Sequence, residues 1–278
     1  MLLWGTLFPT VKLSYSAFDI STTGDILFFA GMRFVVCGGV ICLFSLVTDK
    51  ASFKPAKSSI LPILLAGLFS IILHYACTYS ALQLTDSSKT AILKQVGVLF
   101  YVCFSSLFFK DDKLSVKKLI GALLGFAGII VINLNVDGIS FNIGDLLIII
   151  ASFCSVFSSI ISKKVFVTVK PITATGISQL FGGIVLAIIG RAMGGSMTVT
   201  ASLSSLLFVY ICIASVVSYC IWFTVVKSGE LSRLFIIKFA EPAFACIFGA
   251  MLLNENIFQW QYILSFLFIA GGIYISNK

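Results

Sequence analysis

The stretch DILFFAGMRFVVCGGVICLFSLV, Asp25 to Val47, decides the class of protein. It holds one acid at its head and one base, Arg33, in 23 residues, and nearly everything else is apolar or glycine. As a helix it is about 34 Å long at 1.5 Å per residue, enough for the ~30 Å hydrocarbon core of a bilayer. A helix on a soluble surface would need a polar face, and this run has none.

The rest of the chain repeats the message. Of 278 residues, 59% are hydrophobic and 11% charged, and the mean hydropathy is +1.10, against roughly 45–50% apolar and about 25% charged in soluble domains. So few charges cannot cover a water-facing surface. Apolar runs separated by short turn-rich breaks predict helices near 2–15, 25–47, 59–83, 87–109, 115–134, 143–166, 171–190, 203–226, 231–253 and 258–276. The first run is shorter than a full span and reads as a clipped helix. Its opening, Met1 to Phe8, carries no charge and so lacks the basic start of a secretory leader.

Positive charge orients these runs, because short cytoplasmic loops collect Lys and Arg. With a cytoplasmic N-terminus, the inner segments hold 13 of the 19 basic residues and the outer ones only Lys89 and Arg191. Lys12, Arg33, Lys94 and Lys238 fall inside spans. The expectation is an all-α integral membrane protein, multi-pass in a plasma membrane, with ten transmembrane helices and both termini cytoplasmic. The net charge of +8 thus reads as orientation, and its scatter predicts no nucleic acid partner. The eight cysteines all lie in apolar runs with no CxxC and no histidine at ligand spacing, so neither a metal site nor another cofactor is expected.

Sliding the chain against itself by about 145 residues brings Gly97 onto Pro242 and Leu99–Lys110 onto Phe244–Glu255. Slightly different offsets bring Ala127-Gly128 onto Ala270-Gly271 and Arg33 onto Gln179. Five helices per half is an odd number, so equivalent helices cross in opposite directions. This is the inverted-repeat layout of many secondary transporters, whose site lies at the midplane between halves. The halves are 1–138 and 139–278.

In order along the chain, Trp4-Gly5-Thr6 with Pro9 and Lys12, Arg33, Gly144-Asp145-Leu146-Leu147, Glu241-Pro242, Leu253-Asn254-Glu255 and Ala270-Gly271-Gly272 form a pattern that resembles the EamA-type family of the drug/metabolite transporter superfamily. The likeness covers nearly the whole sequence. It implies two inverted five-helix repeats, a central cavity open to one side at a time, and transport of small metabolites, commonly efflux, without specifying one substrate. Two places depart from the family pattern: Val96-Gly97 stands where a proline is usual, and Lys110-Asp111-Asp112 where the helix usually ends in Gly-Glu. The first half's copy of the motif is therefore degenerate.

Ionisable groups at membrane depth cost about 2.5–3.5 kcal/mol each on insertion scales, which makes them the first candidates for a substrate-binding site. Lys238 and Glu241 are three apart and share a helix face, beside Pro242, which removes a backbone donor; they form either a cavity lining or a purely structural ion pair. Lys94 takes nearly the repeat-equivalent position of Lys238. Two cations on one cavity would favour an anionic or carboxylate-bearing solute, whereas a snorkelling Lys94, or one paired with Glu241, would not. His74 is the sole histidine and reads as a hydrogen-bonded interhelical residue or, with a coupling proton or ion in the cycle, as a relay. Arg33 is expected to meet a carbonyl or carboxylate within the bundle, Lys12 to reach the outer interface, and Asp145 to cap its helix N-terminus. The resemblance places Trp4, Tyr79, Tyr219 and Trp222 around the cavity, where they stack on substrate or simply pack, while Trp260 and Tyr262 suit an interfacial belt. Gly121 and Gly125 make a GxxxG spacing that serves packing within a monomer or, alternatively, a homodimer.

The leading expectation is a secondary transporter for an amino acid, organic anion or related solute that works by alternating access and, lacking a GxxxxGK[ST] loop, without nucleotide. A membrane-embedded enzyme acting on lipid is the alternative, weakened by the lack of clustered Asp or His. A non-transporting membrane sensor is a third.

Overall fold

A computed structural model describes residues 1–48, 55–108, 115–132, 134–135, 138–139, 141–198, 203–228, 240–256 and 259–277. In chain order its helices are α1 (Leu2–Ala17), α2 (Thr23–Thr48), α3 (Lys57–Gly67), a π-helical turn at Leu68–Leu73, α4 (His74–Leu84), α5 (Ser87–Leu93), α6 (Val96–Phe108), α7 (Val116–Ile132), α8 (Ile143–Val165), α9 (Pro171–Ala192), α10 (Leu203–Ser228), α11 (Ala240–Leu253) and α12 (Trp260–Asn277). The one sheet among the described residues is a two-residue ribbon, Leu134–Asn135 against Gly138–Ile139, at a break expected to be a turn.

Among the described residues, five segments are long and apolar enough to cross a bilayer: Thr23–Thr48, Lys57–Leu84, Ile143–Val165, Pro171–Ala192 and Ser204–Lys227. Leu119–Gly128, Phe244–Leu253 and Trp260–Ile275 are shorter apolar helices. Exposed Leu43, Phe44, Val47, Leu206, Ile213 and Leu267 give these helices apolar outer faces, a surface suited to acyl chains rather than water. The protein is an all-helical membrane protein apart from the small ribbon.

Local chemistry sets the helix ends. Thr22 and Asp25 cap α2 reciprocally, with the Asp25 N–H donating to Thr22 Oγ1 at 3.1 Å and the Thr22 N–H to Asp25 Oδ2 at 2.9 Å. Asn142 and Asp145 do the same for α8, both bonds at 3.0 Å, so the expected cap at Asp145 is present. Pro171 opens α9 where its missing N–H costs nothing. Past the end of α11, Asn254 takes a left-handed φ of 52° and turns the chain back.

The helices form two compact units, each drawing on both halves of the sequence. One comprises residues 10–80 and 157–229. Within it α2 lies along α9 on a glycine seam of period seven. A Cβ on Gly31 would overlap Ala187, on Gly38 Leu180, on Gly183 Val35, and on Gly190 Phe28, in each case at backbone atoms. Without those side chains the two backbones meet directly, the usual way membrane helices gain contact area. The other unit comprises residues 1–9, 81–156 and 230–278. Here α7 packs on α12, with Gly272 against the Gly121 carbonyl and the Gly125 N–H, and Gly128 against Ile269 and Ser265. The GxxxG spacing is thus used inside the chain.

Two of the expected runs differ in detail. The 59–83 run contains the wide π turn, and the 87–109 run is broken at Lys94-Gln95, where Gln95, Gly97 and Val98 donate backward over three residues, to Ile92, Lys94 and Gln95, instead of four. Such tightened turns inside a span often mark functional positions. Residues 231–239 of the ninth run, Lys238 among them, lie outside the described residues.

Candidate functional site

In the unit built from residues 1–9, 81–156 and 230–278, Lys94 closes α5, its N–H still donating to the Thr90 carbonyl at 3.0 Å, and its side chain reaches the first turn of α11. Lys94 Nζ lies 3.4 Å from Glu241 Oε1 and 4.9 Å from the centre of the Phe8 ring. Glu241 is 3% exposed. Charge-assisted hydrogen bonds are normally ~2.7–2.9 Å, so this pair is loose, and the ammonium divides itself between carboxylate and ring face. Lys94 and Glu241 line a narrow cleft with Gln95, Gly97, Val98, Ser152, Ser155 and Val156. The absence of a side chain at Gly97 lets the break approach α8: a Cβ there would come 2.7 Å from the Ser152 carbonyl oxygen. The glycine that departs from the family's proline therefore has a packing reason of its own.

The α5 helix is tied at its other end too. Glu255, in the loop after α11, accepts from the Ser87 N–H and Oγ at 2.8 Å each through Oε1, and from the Ser88 N–H at 3.1 Å and Oγ at 2.6 Å through Oε2. Burial alone would raise this carboxyl, but the bonds from Ser88 and Ser87 outweigh it and hold the Glu255 pKa below the ordinary glutamate value. Between these two ties, Lys89 reaches Asp145 Oδ2 at 3.0 Å. Trp4 is half-buried on α1 in the same unit.

The unit of residues 10–80 and 157–229 holds the other candidates. Arg33 is 1% exposed and among the described residues meets no carboxylate. Its Nε and Nη2 donate to Ser215 Oγ at 3.0 and 2.5 Å, and Nη1 donates to the Tyr79 hydroxyl. Its guanidinium carbon lies 4.8 Å from the Phe34 ring centre and 5.3 Å from that of Tyr75, so π faces and hydroxyls stabilise the cation. Tyr15 donates to the Tyr79 carbonyl at 2.8 Å, and the Tyr75 and Tyr219 hydroxyls pair at 2.7 Å. His74 is buried, edge-on to Tyr75 with ring centres 4.7 Å apart. Trp222 is buried on α10. Arg33, His74, Tyr79, Tyr219 and Trp222 thus belong to one unit, and Lys94, Glu241 and Trp4 to the other. Reading the sequence missed Gln95, which looked like part of an unbroken helix, and the Glu255 tie, whose partners lie 168 and 167 residues away.

No group of three or more potential metal ligands occurs among the described residues. The arrangement offers a part-buried cation and a buried carboxylate side by side, a pair of charges that a small polar solute could meet.

Comparison with known proteins adds the family. The chain matches the model of the EamA-like transporter family over residues 1–134 and 142–277. It is 23% identical to an uncharacterized transporter of Archaeoglobus fulgidus over 100% of this chain and 94% of that protein. It is 25% identical to the uncharacterized inner membrane transporter YedA of Escherichia coli, covering 94% of this chain and 83% of the relative. The uncharacterized transporter YoaV of Bacillus subtilis is 27% identical, with 99% and 93% covered. A solved crystal structure superposes with a TM-score of 0.74 at 17% identity, covering 99% of this chain and 94% of that one, which shows a shared fold. With the family model matching both halves of the sequence, the chain belongs to the EamA-like transporter family of membrane transporters.

Proposed function

We propose that the chain is a secondary transporter of ten transmembrane helices in two inverted five-helix repeats, residues 1–138 and 139–278. It moves a small metabolite across the plasma membrane, outward, by alternating access, with both termini in the cytoplasm. The observation that carries this reading is the loose Lys94–Glu241 pair, with Glu241 3% exposed, lining a cleft with Gln95, Ser152 and Ser155. A pair kept only for stability gains from close contact, because desolvating two charges costs several kcal/mol per ion. A pair that must part for a ligand gains from looseness. Its two charges suit a solute carrying a carboxylate, an ammonium group or both. The charge asymmetry between inner and outer loops supports the orientation, and the family match supports transport.

The test is reconstitution into liposomes with a panel of amino acids, organic anions and organic cations. Flux of one class is expected, lowered at least tenfold in Lys94→Met and Glu241→Gln. No flux of any class from correctly folded protein overturns the transport reading, and unchanged flux in both variants removes the pair from the mechanism. His74→Gln separately tests proton coupling, since a relay predicts a flat pH profile where the wild type responds.

A further inference from the structure

The cleft beside Lys94 contains a group that its surroundings leave unsatisfied. Gln95 is 3% exposed and lines the cleft. Its Nε2 donates to the Ala91 carbonyl at 3.2 Å, and because a carbonyl can only accept, that bond fixes which way the amide points. The opposite atom, Oε1, is buried and receives no hydrogen bond from the described residues. An unmet buried acceptor is costly, and native structures rarely leave one without a reason.

The residue is also held still. Its N–H donates to the Ile92 carbonyl at 3.0 Å, and its own carbonyl accepts from Val98 at 3.0 Å and Leu99 at 3.2 Å. With backbone and Nε2 both anchored, Oε1 is a preorganised acceptor. Ser152 adds to the imbalance, since its hydroxyl proton goes to the Ile149 carbonyl at 2.7 Å, leaving only oxygen lone pairs free. The Glu241 carboxylate accepts as well. Among the described residues lining the cleft, Lys94 carries the one ammonium, facing the acceptors of Gln95, Ser152 and Glu241.

We propose that Gln95 selects solutes bearing an ammonium N–H beside an anionic group: Oε1 and Glu241 receive the ammonium while Lys94 meets the anion. A primary ammonium has three protons to donate, so it can serve both acceptors at once, which a trimethylated nitrogen cannot. This rests on the cleft being the substrate site of the transporter proposed above.

The test uses the full chain in liposomes and in detergent, with matched probes: L-alanine, L-leucine and L-phenylalanine, each beside its deamino acid and its N-trimethyl derivative. Wild type is expected to favour the ammonium member at least tenfold in uptake KM and in the ligand concentration that shifts the thermal unfolding midpoint. Gln95→Leu is expected to lose about 10- to 100-fold of that preference, the worth of one hydrogen bond to a charged group, with little change in the unliganded midpoint, since the lost bond to the Ala91 carbonyl is offset by removal of an unmet acceptor. Gln95→Glu is expected to keep the preference. An unchanged preference in Gln95→Leu overturns the proposal, as does a wild type that prefers deamino acids or binds no ammonium member. A drop in the unliganded midpoint with preference intact assigns Gln95 a structural role, and also overturns it. If wild type binds the ammonium probes selectively but transports none, transport fails as a function while the role of Gln95 stands.

Discussion

Replacing Glu255 by alanine removes a carboxylate that accepts four hydrogen bonds of 2.6–3.1 Å from Ser87 and Ser88. A hydrogen bond to a charged group contributes about 1.5–3 kcal/mol net, but the four are not additive. The two hydroxyls can turn elsewhere, and the space left by the carboxylate can admit water to the two otherwise buried N–H groups, so the expected loss is about 2–4 kcal/mol. On the scaling known for soluble domains this lowers Tm by roughly 5–15 °C. Glu255→Gln, which keeps one acceptor oxygen but turns an NH2 toward donors, is expected to fall between the two. Gly249 admits the carboxylate, since a Cβ there would come 2.6 Å from Glu255 Oε2, so Gly249→Ala is expected to mimic Glu255→Gln. The pH dependence follows from the depressed carboxyl. Its contribution is complete above the ordinary glutamate value of about 4.3 and is lost as pH falls through the lower folded-state pKa. The Tm gap between wild type and Glu255→Ala is thus full at pH 7 and narrows as pH falls below the ordinary glutamate value. Thermal unfolding in detergent across that range measures it, and combining Glu255→Ala with Ser87→Ala and Ser88→Ala tests the coupling. A Glu255→Ala Tm within 1 °C of wild type, or strictly additive effects, would refute the reasoning.

Adjacent glycines in α2 give a built-in control: Gly38 meets Leu180 directly, whereas nothing lies within 4 Å of a Cβ on Gly39. Gly38→Ala is expected to lower Tm by several degrees, while Gly39→Ala is neutral or slightly stabilising through helix propensity; equal effects would dissolve the seam. Arg33→Lys keeps the charge but not the fork that spans Ser215 and Tyr79, and is expected to destabilise by about 2 kcal/mol, nearly as much as Arg33→Met. A wild-type Tm in Arg33→Lys would show that charge alone suffices there. Lys89→Met strands Asp145, a fully buried carboxylate, at a cost of about 3–5 kcal/mol, measurable as Tm or as loss of folded yield.

Much of the architecture was readable because lipid imposes one rule, an unbroken apolar run of sufficient length. α2 and α9 obey it, so their limits came within a few residues. The cap at Asp145 was readable because its partner, Asn142, is three residues away. The break at Lys94-Gln95 was not, since the apolar residues around it match those of a straight helix, and the departure at Gly97 was its only trace. Glu255 was noticed only as part of a family pattern. Its partners belong to a helix far away in the chain, and nothing local distinguishes it from a loop acid. The pairing of Glu241 was left open between Lys238 and Lys94, and Lys94 is its partner among the described residues.

The π turn at Leu68–Leu73 has a consequence for insertions and deletions. In an α-helix each step of four residues runs about 40° past a full turn, so Gly67, Ile71, Tyr75 and Tyr79 would drift around the axis. The wide turn corrects that phase and keeps them in one strip, from the contacts of Gly67 with Ser178 and Ile71 with Gly182 to the rings of Tyr75 and Tyr79 at Arg33. Because the turn already stores one residue more than an α-helix would, removing a residue relaxes it and leaves both flanks docked. Adding another would swing His74–Leu84 by about 100° and carry both tyrosines off the guanidinium.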